Sequence, residues 1–155
     1  MVPLERFEAV QHSAVEPGDI LIAEGDGPGL SLVVEIDGKR FAVDLAAVND
    51  GGFSLRRFND IGGTRVRLRQ SSITISHELK LSPTKVDIPR GCLALGEHGA
   101  GFVANVFGGT GLAMSAGGVF PQLTYSGTVF FPRWGIAVPG IDGHPISLYS
   151  HDCSA

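Results

Sequence analysis

Three arginines recur at every second position of one short segment, and this is the feature of the sequence best suited to chemistry. Arg65, Arg67 and Arg69 alternate with Val66 and Leu68. Successive side chains of an extended strand point to opposite faces, so the three guanidinium groups share one face. A guanidinium group binds phosphate or carboxylate through two parallel hydrogen bonds. The segment therefore predicts a site for a small anionic ligand. The alternative is an edge strand whose charges prevent unwanted strand pairing.

Trp134 is the only tryptophan, and it lies beside Arg133 between two apolar runs. Because its ring can stack on a planar ligand, Trp134 joins the three arginines as a candidate ligand-binding residue. A place in the core or in an interface is the alternative.

Nitrogen, oxygen and sulfur donors of the kind that zinc accepts collect near the end of the sequence. His144, His151, Asp152 and Cys153 carry them. Their spacing matches no tight metal-ligand motif, so no metal is predicted. Cys92 and Cys153 are the only cysteines, and two are too few to indicate a disulfide framework.

Other motifs that would indicate catalysis or a cofactor are absent from the sequence. It contains neither a Gly-x-Ser-x-Gly elbow, nor a Cys-x-x-Cys pair, nor a phosphate-binding loop with its lysine. No cofactor is therefore predicted, and the sequence leans against an enzyme.

The formal net charge of −4 is unevenly distributed along the chain. Residues 1–55 hold ten acids and three bases, whereas residues 56–90 hold eight bases and three acids. Either the basic middle binds an anion, or the acidic first third folds against it. Nucleic acid is not an expected partner, because the chain is acidic overall and the basic strand has no interleaved aromatic residues.

The elements that must position these residues are short strands, because 22 glycines and 9 prolines separate many brief apolar runs. The clearest pair is Leu30–Ile36 and Lys39–Leu45, which are separated by the Asp-Gly pair of a type I′ hairpin. Residues 64–69 alternate with a period of two, and residues 5–15 are expected to form a short helix. No internal repeat is visible. The pattern predicts one all-β domain over residues 1–155, a barrel or sandwich of many short strands.

Location and assembly follow from the hydropathy and charge patterns. No apolar segment is long enough to span a bilayer, and the first ten residues lack the layout of a signal peptide. A cytoplasmic protein with no membrane partner is therefore expected. Residues 91–155 hold only one base and three acids. A surface with so few charges is a candidate subunit contact, so a homo-oligomer is expected.

Three segments of the second half resemble the shared β-fold of the dUTPase and dCTP deaminase family. Residues 109–113 (Gly-Thr-Gly-Leu-Ala) resemble the family's Arg-Ser-Gly-Leu-Ala signature, and residues 125–129 resemble the aromatic-x-Gly strand that follows it. Residues 139–148 resemble a late strand that enters through Pro-Gly. The resemblance covers under half of the chain. It implies a dUTPase-like fold and the family's trimeric assembly.

The residues that carry the family's chemistry are replaced in this chain. Gly109 stands where the family has an arginine that contacts phosphate, and Thr110 replaces the serine beside it. Phe130 or Phe131 lies where a deaminase has its general-base glutamate. A phenyl ring cannot transfer protons, so the resemblance implies the fold and not the activity.

The sequence therefore predicts a non-catalytic β-fold binding or interaction domain that forms oligomers. One alternative is a binder of a small anionic or nucleotide-like ligand. Another is a nucleotide hydrolase or deaminase whose catalytic groups have moved, with Asp44 and Glu97 as candidates.

Overall fold

Short antiparallel strands make up nearly all of the regular structure. The structure is a computed structural model, and it describes residues 1–22, 29–45, 52–58, 64–76, 88–123 and 126–153. The all-β prediction is confirmed. The strands are β1 (Phe7–Gln11), β2 (Ile20–Ile22), β3 (Leu30–Ile36), β4 (Lys39–Leu45), β5 (Leu55–Arg57), β6 (Thr64–Leu68), β7 (Ser72–Ile75), β8 (Leu93–Gly96), β9 (Gly99–Val106), β10 (Gly109–Met114), β11 (Val119–Phe120), β12 (Val129–Phe131), β13 (Arg133–Pro139) and β14 (Pro145–Asp152).

The expected helix over residues 5–15 is wrong. This segment consists of β1 between two short 3₁₀ turns, Leu4–Arg6 and His12–Ala14. Pairing with β6 decides its conformation, because all five residues of β1 have a partner there. None of the helices in the described part of the chain has the length and hydropathy of a membrane span.

The strands form three sheets. Sheet A has the order β1-β6-β2-β3-β4-β5, sheet B the order β11-β10-β9-β8-β12, and sheet C the order β14-β13-β7. The described strands do not close into a barrel. One apolar cluster joins the inner faces of the three sheets instead, with Leu32 from sheet A, Phe102 from sheet B and Ile136 from sheet C all fully buried.

The hairpin of β3 and β4 is confirmed with its predicted bounds. Ile36 pairs with Lys39, and the two residues between them, Asp37 and Gly38, have φ angles of 51° and 77°. Positive φ at both central positions defines the type I′ turn, whose twist matches that of the flanking strands.

Sheets A and B repeat the same arrangement. The pair Val33–Ala42 between β3 and β4 corresponds to the pair Val103–Leu112 between β9 and β10. The turn at Phe107-Gly108 is again type I′, with φ angles of 51° and 85°. In sheet order, β6-β2-β3-β4-β5 matches β12-β8-β9-β10-β11. The chain therefore contains a structural repeat that is not visible in the sequence.

The repeat extends to the backbone hydrogen bonds that precede each unit. The amide of Gly18 donates to the carbonyl of Val33 at 2.7 Å, and the amide of Gly91 donates to the carbonyl of Val103 at 2.8 Å. These glycines have φ angles of 93° and 91°, in the left-handed region that glycine adopts without strain. A Cβ at Gly91 would also come within 2.5 Å of Nε2 of His151.

The two units are linked reciprocally. The amide of Asn105 donates to the carbonyl of Phe53 at 2.7 Å, and the amide of Glu35, its counterpart, donates to the carbonyl of Gly117 at 2.8 Å. The same relation holds between β7, which follows β6, and β13, which follows β12. Ile73 and Ile136 are counterparts in the two repeats, and they pair with each other. An approximate twofold axis therefore passes through the pairing of β7 with β13.

A disulfide between Cys92 and Cys153 ties the end of the described chain to sheet B. Their Cα atoms are 6.0 Å apart, and 61 positions separate them in sequence. Cys92 is fully buried in an apolar cluster on the outer face of sheet B, together with Ala94, Leu112 and Met114. The disulfide therefore fixes the tail that follows β14 against this cluster.

We expect the double variant Cys92→Ala/Cys153→Ser to lose stability. Closing a loop of 61 residues in the unfolded chain contributes about 4 kcal/mol in the chain-entropy model, and measured values are usually about 2–4 kcal/mol. Urea unfolding of the wild type with and without a thiol reductant, beside the double variant, measures this difference. The reductant should not change the midpoint of the double variant. Equal midpoints for the oxidised and reduced wild type would contradict the disulfide.

Candidate functional site

We call Arg65, Arg67 and Arg69 the arginine stripe. These residues lie on strand β6 or directly after it. Strand β6 is flanked by β1 and β2, so the interpretation of an edge strand is wrong. Arg67 contacts two carboxylates, with Nε 2.9 Å from Oε2 of Glu8 and Nη1 3.2 Å from Oδ2 of Asp19. Arg69 also binds Glu8, at 3.0 Å. Acids of the first third of the chain thus fold against the basic middle.

These ion pairs shift the pKa values of Glu8 and Arg67. The hydrogen bond from Arg67 lowers the pKa of Glu8, with a further hydrogen bond from Arg69, and together they outweigh the opposing effect of burial. The hydrogen bonds to Glu8 and Asp19 raise the pKa of Arg67. The described partners of Arg67 and Arg69 are therefore carboxylates of the protein itself.

The four residues predicted to bind a ligand do not form one site. Arg65 lies over the ring of Phe58, with its Cζ 5.6 Å from the ring centroid. Trp134 belongs to the core and is 3% exposed, and its Nε1 donates to the carbonyl of Gly91 at 2.7 Å. The arginines project from the face of β6 opposite to Leu68, which is in the core cluster. A ligand-binding role for Arg65, Arg67, Arg69 and Trp134 stays a prediction.

The C-terminal donors that suggested a metal are placed on strand β14 and around it. Cys153 is bonded to Cys92 and so offers no thiolate. His144 is exposed in the turn before β14, whereas His151 is half-buried near its end. Within the described ranges, no three His, Cys, Asp or Glu side chains are grouped as a metal would require.

His151 is placed among aromatic rings next to an open groove on sheet C. Its ring centroid is 4.8 Å from that of Phe53 and 5.5 Å from that of Trp134. Nδ1 is 3.4 Å from the hydroxyl of Tyr149. Nε2 is buried and has no hydrogen-bond partner among the described residues. Burial lowers the pKa of His151, and this effect outweighs that of Asp152, which raises it.

A more enclosed pocket lies on the outer face of sheet B, and we call it the sheet B pocket. Its volume is about 360 Å³, which is within the range of small-molecule sites. Buried side chains of Ala94, Leu112 and Met114 form its floor. Its rim carries the hydroxyl groups of Ser126 and Thr128.

Aromatic rings and one carboxylate complete the lining. The rings of His98 and Phe120 are stacked, with centroids 4.9 Å apart and planes inclined by 26°. Nε2 of His98 is 3.1 Å from Oε1 of Glu97 in the turn between β8 and β9. Gly96, Gly99 and Gly127 also line the pocket, and their missing side chains leave room for a ligand.

Two of the corresponding positions of sheet A hold an ion pair. In the repeat, Met114 and Phe120 correspond to Asp44 and Arg56. Nε and Nη2 of Arg56 bind the two oxygens of Asp44, both at 2.9 Å, and the hydroxyl of Ser31 donates to Asp44 at 2.6 Å. Burial raises the pKa of Asp44, but these hydrogen bonds outweigh it and lower the pKa overall. The fold therefore does not require apolar side chains at these two positions.

Sequence analysis missed most of this site. The sequence named Glu97 as a candidate catalytic acid and did not single out His98, and it gave no reason to place either beside Phe120 or Met114. The four residues come from two strands and a turn. Only the pairing of β10 with β9 and β11 brings them together. No spacing in the sequence carries that information.

The fold and the site define a class of protein. The chain is an all-β protein with two repeated antiparallel units, one of which has an open pocket on its outer face. No family model, no curated protein and no solved structure matches the chain. The resemblance to the dUTPase and dCTP deaminase family stays a prediction.

We expect His151 to make the protein less stable in acid. Its pKa is lowered from 6.5 in the folded state, so the unfolded chain takes up the proton first as the pH falls. Stability is therefore full above about pH 6.5 and decreases below it, until the folded state is protonated as well. His151→Phe should remove this part of the pH dependence in urea unfolding between about pH 7 and pH 5.

The matched control is His144→Phe, because His144 is exposed and packs against none of the core rings. This control should keep the pH profile of the wild type. Parallel profiles for the wild type and His151→Phe would show that the buried imidazole does not couple folding to pH.

Proposed function

We propose that this protein is a non-catalytic binding domain that holds a small molecule in the sheet B pocket. One observation carries the proposal: the sheet B pocket is lined by Met114 and Phe120 at positions where sheet A holds the ion pair of Asp44 and Arg56. The same backbone thus presents either an ion pair or apolar side chains at these positions of its outer face.

The composition of the lining supports binding of a flat and mostly apolar molecule. Leu112 and Met114 offer apolar contact, and the methionine thioether adapts to irregular shapes. Phe120 supplies an aromatic wall. Ser126 and Thr128 offer hydroxyl groups to orient the ligand.

This proposal moves the ligand away from the arginine stripe. Arg67 and Arg69 already bind Glu8, and the described lining of the pocket contains no arginine or lysine. The anionic or nucleotide-like ligand expected from the sequence would meet no cation there. Of the two acids named for a hydrolase or deaminase activity, Asp44 is held by Arg56 and Ser31, whereas Glu97 lines the pocket beside His98. That activity stays a prediction.

Assembly and location stay predictions from the sequence. Leu95 and Val129 are cross-strand partners whose side chains are 44% and 40% exposed. They offer apolar surface to the expected homo-oligomer. The Cys92–Cys153 disulfide weighs against the expected cytoplasmic location, because cytosolic thiols are kept reduced.

We expect Ala94→Leu to abolish binding. Leu21 is the counterpart of Ala94 in sheet A, so the variant puts the larger side chain of the sheet A position into the pocket floor. A panel of flat aromatic fragments is screened by thermal unfolding. A ligand at 100 times its Kd stabilises the folded state by about 2.7 kcal/mol, and the variant should show no such shift.

Ala9→Leu is the matched control. It makes the same chemical change at an exposed position of β1, and it should retain every stabilisation seen with the wild type. If the hits also stabilise Ala94→Leu, the ligand binds elsewhere. If no fragment stabilises the wild type, the binding proposal fails.

A further inference from the structure

The charge of the sheet B pocket restricts its ligand. Glu97 is the only described lining residue that is formally charged at pH 7 with histidines neutral. Its partner in the pocket is the imidazole of His98. Residues 91–155 contain a single base, Arg133, which binds Asp152 at 2.7 Å on sheet C. The described lining therefore carries one carboxylate and no lysine or arginine, so it opposes an anionic ligand.

The aromatic ring of Phe120 also favours a positively charged ligand. The face of a phenyl ring carries partial negative charge, which attracts cations held over it. Phe120 is 38% exposed and stands at the pocket beside His98. A ligand that combines a flat ring with a positive group would contact the apolar floor, the aromatic wall and the carboxylate together.

We propose that the sheet B pocket binds a protonated aromatic amine. Its ring packs on Leu112, Met114 and Phe120, and its ammonium group lies at the rim beside Glu97. This inference rests on the proposed function of the pocket. It goes further, because it assigns the ligand's charge and names the residue that selects it.

Three indoles of similar shape test the assignment. Tryptamine carries an ammonium group, tryptophol a hydroxyl and indole-3-propionate a carboxylate. Binding to the full chain is measured by calorimetry and by shifts of backbone amide resonances. We expect tryptamine to bind most tightly and indole-3-propionate most weakly. The affinity for tryptamine should fall as salt is added, because ions screen the attraction to Glu97.

Glu97→Gln isolates the carboxylate from the rest of the pocket. It should weaken tryptamine by no more than about fivefold, the effect of one exposed charge pair, and leave tryptophol unchanged. Glu35→Gln is the matched control, because Glu35 is an exposed glutamate of sheet A, outside the pocket. It changes the net charge equally and should not alter tryptamine binding.

The outcomes separate the two proposals. If none of the indoles binds and fragments also fail, the sheet B pocket is not a ligand site. If tryptophol or indole-3-propionate binds as tightly as tryptamine, with Glu97→Gln neutral, the pocket stands and the amine assignment is wrong. If tryptamine still binds Ala94→Leu with the same affinity, its site is elsewhere and the assignment is also wrong.

Discussion

Two backbone hydrogen bonds between the repeats hold the arrangement on which the rest of the structure depends. The amide of Asn105 binds the carbonyl of Phe53, and the amide of Glu35 binds the carbonyl of Gly117. Each repeat thus satisfies a backbone donor of the other, and an unpaired donor at such a joint costs free energy. Because the exchange is reciprocal, sheets A and B hold each other in place around the shared core. Their outer faces are left to differ.

The outer faces of sheets A and B carry different side chains on the same backbone arrangement. Both begin with a small apolar cluster, built on Val15, Leu21 and Val33 in sheet A and on Ile88, Ala94 and Val103 in sheet B. In sheet A the neighbouring positions hold the Asp44–Arg56 pair, which is half-exposed and contributes at most about 1 kcal/mol. Its main effect is to fill space. In sheet B the corresponding positions hold Met114, which is buried, and Phe120, which is 38% exposed, so packing alone does not explain the aromatic ring.

The sequence predicted those elements whose signal is local. The β3–β4 hairpin was predicted with its bounds, because Asp-Gly specifies a type I′ turn by itself, and β6 was predicted from its alternation. The matching turn in sheet B places Phe107 at a positive φ and lacks that signal. Strand β1 was missed because its conformation comes from pairing with β6, far along the chain. The ion pairs of Arg67 were left as one of two alternatives, since charge distribution cannot say which acid meets which base.

The repeat and the pocket were hidden for a common reason. Counterparts in the core, such as Leu32 and Phe102, need only be apolar and of suitable size, a requirement shared by every buried strand position. Such positions keep the fold while losing sequence identity. On the outer faces, the two repeats differ even in the chemical type of the side chain. Phe120 in sheet B occupies the strand-pairing position that Arg56 occupies in sheet A. The repeat is seen in the strand register and in the backbone hydrogen bonds, not in the residue types. A difference between the two repeats therefore cannot be read from the sequence. The sheet B pocket therefore lies where the two halves differ in chemical character, with Met114 and Phe120 in place of Asp44 and Arg56.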